Sequence, residues 1–278
     1  MTSLASERFN RTAEGYLRWW APVLAPASVR LVDRLGKLEP GFPGGEGLDV
    51  LDVGCGTGSS LLEAARKWPG VRLIGLDAST GMLAVARRQA EQLPGAARER
   101  ISFVESDAAS LPIADASIDL VITAFMLQQV PSRPAVLAEF RRVLRPGGIA
   151  AIVGWLTESE SFAPEVEIEA ALNDAGVVRP PNPEVRSGHY LSATEAEDEL
   201  EAAGFGAVSR QEEKLDHPWT REDFATYRET TRDFDLFATL DATARERTLA
   251  ALGARLRMLT DDQLVHRPPI VTLVGRRG

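Results

Sequence analysis

The residues best equipped for chemistry stand together in Val50-Leu-Asp-Val-Gly-Cys-Gly-Thr-Gly-Ser-Ser60. An apolar run enters three glycines on alternate positions and leaves as a helical pattern. Glycine lets the backbone turn tightly and admits a ligand where a Cβ would clash. The first helical turn beyond it offers unpaired N–H groups to a polar or negative ligand group. A glycine turn alone is equally consistent with a turn that binds nothing, but two acids point to a ligand. Asp52 lies within the strand, two residues before Gly54, where a buried carboxylate needs a partner. Leu73-Ile-Gly-Leu-Asp77 closes the next strand with an acid nineteen residues after Gly58, placed to accept both hydroxyls of a ribose.

The two acids also bear on which nucleoside is bound. A dinucleotide fingerprint beginning at Gly54 requires its third glycine at position 59, where Ser59 stands, and the glycine comes one residue early at Gly58. An in-strand Asp52 repels a pyrophosphate and attracts an ammonium. Asp52 and Asp77 together select a ligand with an ammonium at one end and a ribose at the other, and S-adenosylmethionine is such a ligand.

These residues need elements to hold them. Apolar runs at Leu48–Val53, Arg72–Leu76, Ile101–Val104, Leu120–Ala124 and Ile149–Val153 alternate with helical patterns at Ser59–Lys67, Thr80–Gln92 and Arg133–Leu144. Such alternation means crossover units and a parallel sheet buried on both faces. The expected fold is α/β: a Rossmann-like, seven-stranded, mostly parallel sheet with helices on both faces and a helical cap over the carboxyl ends of the strands. Residues 1–45 form a leader or lid, with helices over Ala5–Leu17 and Pro22–Leu38, and Pro40–Gly47 is a linker dense in breakers. Residues 46–156 are the cofactor-binding core. Residues 157–278 supply the remaining strands, Phe205–Lys214 and Pro269–Gly275, with cap helices inserted in the same domain. Ser192-Ala-Thr-Glu195 is a capping box opening a helix to Ala203. Thr220–Arg232 and Asp241–Leu259 read as amphipathic helices.

Composition excludes several partners. The 278 residues carry 31 Lys and Arg against 40 Asp and Glu, a net charge of −9 that disfavours nucleic acid. No apolar run approaches the length that spans a bilayer, and the polar start lacks a signal peptide's apolar core. The single cysteine, Cys55, excludes an internal disulfide and a multi-cysteine metal cluster. The expectation is a cytoplasmic protein with no membrane insertion, no nucleic acid and no metal.

The chain resembles the class I S-adenosylmethionine-dependent methyltransferases, in particular the type 11 group related to quinone-biosynthesis enzymes. Val50–Ser60 resembles their first motif and Gly75-Leu-Asp-Ala-Ser79 the second. Phe103-Val-Glu-Ser-Asp-Ala-Ala109 is similar to the third, Ser117-Ile-Asp-Leu-Val-Ile-Thr123 to the fourth strand, and Arg142-Val-Leu-Arg-Pro-Gly-Gly148 to the turn before the fifth. The likeness is close over about residues 48–156 and extends weakly to Glu201-Ala-Ala-Gly-Phe205. It implies that Gly54, Gly56 and the Cys55 backbone, through its N–H, meet the methionine part, with Asp52 near the ammonium. It places Asp77 and Ala78 at the ribose with Met82 packing nearby, and Asp107 and the Ala108 backbone at the adenine. Ala124 and Phe125 line the cofactor's other side, and Tyr16 belongs to a leader similar to the family's lid. Many relatives carry two histidines where this chain has Leu127-Gln-Gln-Val130. An amide cannot take a proton, so no base is evident there.

Among the three histidines, His189, just before the capped helix, is the candidate base; His217 and His266 read as solvated loop residues. Trp19, Trp20, Trp155 and Trp219 read equally as an aromatic pocket or as packing. Glu158, Glu160, Glu165, Glu167 and Glu169 read as a solvated helix face. The implied activity is transfer of a methyl group to a small-molecule oxygen, nitrogen or activated carbon. The alternatives are methylation of a small carboxylic acid and a non-catalytic, cofactor-binding regulatory protein. Residues 157–190 are expected to close with the leader as a lid.

Overall fold

The computed structural model describes residues 4–38, 47–158, 161–179 and 188–278. The expected Pro40–Glu46 part of the linker and the Pro180, Pro181 and Pro183 cluster lie outside them, as does Glu160. The strands are β1 (Asp49–Val53), β2 (Arg72–Asp77), β3 (Ile101–Glu105), β4 (Ile118–Ala124), β5 (Leu144–Trp155), β6 (Phe205–Lys214), β7 (His217–Pro218), β8 (Val265–His266) and β9 (Pro269–Arg277). Seven form one sheet in the order β3-β2-β1-β4-β5-β9-β6. Neighbours are parallel except at β9, which runs against both β5 and β6. The strand order reverses direction between β1 and β4, and a crevice beyond the carboxyl ends of strands at such a point is where α/β sheets bind ligands.

Burial explains the mostly apolar strands. Every residue of β1 is buried, and so is β5 from Gly148 on. The leader is one helical run: α1 (Leu4–Gly15), a π-helical turn over Tyr16–Trp20, and α2 (Ala21–Leu38). The two separate helices expected there are joined because Tyr16–Trp20 stays wound in wider turns, and Pro26 is accommodated inside α2. Further along come α3 (Ser59–Lys67), α4 (Thr80–Ala90), the short α5 (Gly95–Arg98), α6 (Arg133–Val143), α7 (Ala163–Asp174) and α8 (Ala193–Ala202). One face of the sheet packs on α2, α3 and α7 through Leu31, Leu61 and Ile168, and the other on α6 and α8 through Phe140 and Leu200. Ser192 caps α8 by accepting the Glu195 N–H, as its capping box requires.

The cap follows β7 as α9 (Arg221–Tyr227), a π-helical turn over Arg228–Arg232, α10 (Phe234–Thr239) and α11 (Ala242–Leu256). The single helix expected over Thr220–Arg232 therefore changes pitch at Arg228, and α10 and the β7–β8 pair are elements that periodicity did not reveal. Arg228 opens the wider turn. It is buried, bonding Glu165 of α7 and, at 2.6 Å, Asp233, which also pairs with Arg179 at 2.7 Å. Glu169 pairs with Arg179, and Glu167 with Arg255 of α11. The acidic run of α7 keeps Glu165 and Glu169 about half exposed, as a solvated face does, while Glu165 and Glu167 also tie the helix to the cap.

Candidate active site

The turn after β1 is built from backbone. Gly54, Gly56 and Gly58 have φ of +71°, +54° and +93°, a region that favours glycine. A Cβ on Gly54 would lie 2.3 Å from Met126 Cγ. The N–H groups of Gly54 and Cys55 both donate to Leu76 O, at 2.7 and 2.9 Å, and that of Gly58 donates to Cys55 O at 2.8 Å. Gly56 N–H donates to Asp77 Oδ2 at 2.8 Å. The Cys55 N–H, expected to serve a ligand, is therefore spent on β2, because the turn continues the pairing of β1 with β2. With its donors turned inward the loop is a poor cradle for phosphate. Burial pushes the Cys55 thiol up, consistent with no nucleophilic role.

Beneath the turn lies Asp52, 2% exposed. The Leu61 N–H of α3 bonds its carboxylate, yet Oδ2 is buried with no partner. Burial, and then the charge of Asp77, push its carboxyl up to about 7. An orphaned, buried carboxylate oxygen calls for a donor, and a cationic one best. The residues present thus fit a ligand that brings an ammonium. Asp77 is also held above the ordinary carboxylate range by burial, against the stabilising N–H groups of Ser79, Gly56 and Ala78. Ser79 N–H donates to Asp77 Oδ1 at 2.8 Å.

The leader is fastened to this region. Asn10 Oδ1 accepts from Ser79 Oγ at 2.7 Å and from Gly81 N–H at 2.9 Å, across the start of α4. Met82 is buried against Ala13, Phe9 and Tyr16. Tyr16 packs on Met82 and lines the space under the cap; burial, and next the Asp77 charge, push its phenol well up. At the end of β3, Asp107 Oδ1 accepts the Ala109 N–H at 2.8 Å, and Ala108 is buried. Ala124 ends β4, and Phe125 follows in the left-handed region at φ +57°, its ring centroid 4.4 Å from Trp155. Strain of that kind clusters at ligand sites.

Under the cap is a cavity of about 460 Å³. Its wall carries Tyr16, Trp20, Phe125, Trp155, Phe162 and Tyr227, with Arg8, Gln128, Gln129, Glu158, His189, Arg232 and His266 as polar groups. Trp20 stacks on Tyr227, which stacks in turn on Trp219. Trp20 and Trp155 therefore line the cavity, Trp219 supports it from behind, and Trp19 lies under Arg18. His189 is placed by its neighbours: Gly188 lies against Gln128, where a Cβ would come within 2.5 Å, and Tyr190 N–H donates to Trp155 O at 2.9 Å. Burial lowers the His189 imidazole below its ordinary value, opposed by the charge of Glu158.

Two histidine assignments need correcting. His266 is not a solvated loop residue: its side chain is 11% exposed, it stacks on Phe162 at 4.6 Å, and its Nδ1 is buried without a partner. His217, opposite it in the β7–β8 pair, is half-buried with its ring on the edge of Trp219. Tyr227 and Phe162 are cavity residues that sequence did not single out, and His266 is one that it read as solvated. A lone histidine between Val265 and Arg267 carries no local signal of burial.

Residues 50–148 match the family model described as a methyltransferase domain. Among curated proteins, a malonyl-[acyl-carrier protein] O-methyltransferase of Xylella fastidiosa is 37% identical over 100 residues, covering 36% of this chain and 32% of that protein. A ubiquinone/menaquinone biosynthesis C-methyltransferase of Paracoccus denitrificans is 40% identical over 103 residues, 37% of this chain and 40% of its own. The chain thus spans about a third to two-fifths of the length of these relatives. The crystal structure of the YcgJ protein from Bacillus subtilis superposes with a TM-score of 0.58 at 20% identity, over 90% of this chain and 98% of that one. That likeness is one of fold.

Proposed function

Residues 50–148 being a class I, S-adenosylmethionine-dependent methyltransferase domain of the quinone-biosynthesis-like group, we propose that the chain transfers a methyl group to a small, flat, conjugated acceptor held under the cap. The observation that carries this reading is adjacency: Tyr16 packs on Met82, in the first turn of α4 just after β2 and Asp77, and also lines the cavity, so donor and acceptor sides meet at one residue. The shape of the wall supports a flat acceptor. Its neighbouring rings, from Phe125 through Trp155 and Trp20 to His266 and Phe162, tilt by only 26–41° from one to the next. They form a curved surface of ring faces rather than a box.

In this reading Asp52 meets the cofactor's ammonium, and Gly54, Cys55 and Gly56 border the methionine part with their carbonyls. Asp77 and Ala78 hold the ribose over Met82, Asp107 and Ala108 border the adenine, and Ala124 and Phe125 close the other side. When bound, the cofactor supplies a methyl group already activated on sulfur. The protein's part is to align the acceptor atom with that methyl group and to exclude water, which Tyr16, Phe125 and Trp155 do as walls. His189 is the base where the acceptor must lose a proton. The acceptor atom is oxygen, nitrogen or activated carbon. Among the described residues no helix is long and apolar enough to cross a membrane, which supports a cytoplasmic enzyme acting on a dissolved acceptor.

The test is calorimetry with S-adenosylhomocysteine. Asp77→Ala is expected to weaken binding by about 1–3 kcal/mol, since hydroxyls lose a charged acceptor; an unchanged affinity overturns the ribose assignment. Incubating methyl-labelled S-adenosylmethionine with small-molecule extract should give a labelled product. Binding without any turnover would favour the regulatory alternative.

A further inference from the structure

The cavity wall holds buried donors that the protein itself does not use. Four side chains lining it carry a polar atom and are more than nine-tenths buried: Thr12, Trp155, Tyr227 and Thr231. Thr12 Oγ1 donates to Arg8 O at 3.0 Å, and Thr231 Oγ1 meets Thr230 Oγ1 at 3.5 Å. The Tyr227 hydroxyl and the Trp155 indole N–H have no hydrogen-bond partner among the described residues. Nor are they enclosed: the enclosed side-chain atoms without a partner there are Asp52 Oδ2, His266 Nδ1 and Arg277 Nε. Both donors therefore open onto the space that their residues line. Their rings are fixed. Tyr227 stacks on Trp20 at 5.4 Å and 4°, and on Trp219 at 5.0 Å and 23°, while Trp155 stands on β5, 4.4 Å from Phe125. Trp20 ends one π-helical turn and Tyr227 precedes the other, and such turns are frequent at functional sites.

What such a wall selects follows from the direction of its hydrogen bonds. An indole N–H can only donate. A phenol's lone pair is drawn into its ring, so it donates better than it accepts. Burial pushes the Tyr227 phenol well up, so it keeps its proton. Glu158, Gln129 and His189, which could accept, are exposed residues. The buried wall thus asks a ligand for lone pairs, and a buried donor left without one is costly. We propose that Tyr227 is a specificity-determining residue whose O–H donates to a carbonyl oxygen on a flat aromatic acceptor, with the Trp155 N–H as the second donor of the same wall. This deepens the methyl-transfer reading above, on which it rests for calling the ligand an acceptor. A flat hydrocarbon, or a ring that brings an N–H donor to that place, leaves the donors unpaired and is rejected for that reason.

The experiment is equilibrium dialysis of the full chain, without cofactor, against 9-fluorenone and against fluorene, which has a methylene in place of the carbonyl. The wild type should prefer fluorenone. Tyr227→Phe, which keeps the stacked ring, should weaken fluorenone binding about 3–10-fold and leave fluorene binding unchanged. In the infrared, the carbonyl band of bound fluorenone should lie at lower frequency in the wild type than in cyclohexane, and should move back in Tyr227→Phe. The wild-type band keeps the test open if the variant folds poorly. An equal loss of fluorene binding overturns the proposal and leaves Tyr227 as a wall alone. So does a wild type that binds the two probes equally or binds neither, and so does a carbonyl band unmoved from its place in cyclohexane. None of these results bears on methyl transfer itself, which labelled turnover tests separately.

Discussion

The glycine turn and the cavity under the cap adjoin each other but are made of different material. The turn is backbone: three glycines, the N–H groups they aim at Leu76 and Asp77, and one orphaned carboxylate oxygen, nearly all within residues 50–82. The cavity is side chain, assembled from positions as far apart as Arg8 and His266. Backbone geometry leaves a substitution no way to compensate. A wall of side chains can be repacked at moderate cost. The first half should therefore fail abruptly when altered and the second by degrees.

Gly54→Val should break the comparison hardest. The new Cβ meets Met126 at 2.3 Å from a backbone with φ of +71°, for a combined penalty of roughly 3–5 kcal/mol. Thermal unfolding should register that loss, and calorimetry should find S-adenosylhomocysteine binding abolished. Arg228→Ala is the matching injury to the cap. It leaves the buried Asp233 with Arg179 alone and the half-exposed Glu165 without its cation, costing about 2–4 kcal/mol. Here hydrogen exchange should rise in α7, α9 and α10 with cofactor affinity nearly unchanged; equal loss of both would mean the halves are one cooperative unit.

Asp52→Asn sharpens the comparison through pH. The folded Asp52 carboxyl, at about 7, lies above its ordinary range near 4, so the native state binds the extra proton. The associated stability is full below the ordinary carboxylate range, declines as pH rises, and is gone above about 7. The variant should therefore match the wild type at pH 4 and exceed it at pH 8 by roughly 1–4 kcal/mol in denaturant titrations, while binding the cofactor more weakly. A wild type whose stability does not decline between pH 4 and 7 would overturn the assignment. The smallest effect belongs to Asn10→Ala, which unfastens the leader from Ser79 and Gly81. About 1 kcal/mol is expected, visible as faster exchange in α1 and a modest loss of cofactor affinity.

The same contrast decides how much could be read from the sequence. Parallel strands announce themselves as apolar runs, and a turn that only glycine can make announces itself by glycine. β1 to β5 and the Asp52–Asp77 pair were legible for that reason. Phe205–Lys214 was placed to the residue by the capped helix and Gly204 before it. Pitch changes at Tyr16 and Arg228 were not legible, since apolar periodicity reads on through a single wider turn. Nor was His266, whose burial is decided by Phe162 a hundred residues earlier. The ion pairs that tie Glu165 and Glu167 to the cap were not legible either, because Arg228 and Arg255 stand far away in the chain.

One feature of the sheet sets how this molecule can change. β6 and β9 are antiparallel neighbours, and Leu215 N–H still donates to Pro268 O at 3.0 Å where they part. Everything from Asp216 to Arg267, the cap helices included, is thus the loop of a hairpin whose two ends are clamped side by side. Lengthening such a loop is inexpensive, about 0.6 kcal/mol for each doubling. The stretch carrying Tyr227, Arg232 and His266 can be exchanged as one cassette between two fixed points, leaving β1, β2 and the glycine turn untouched. A chain of this kind can remodel the cavity under its cap while the glycine turn stays as it is.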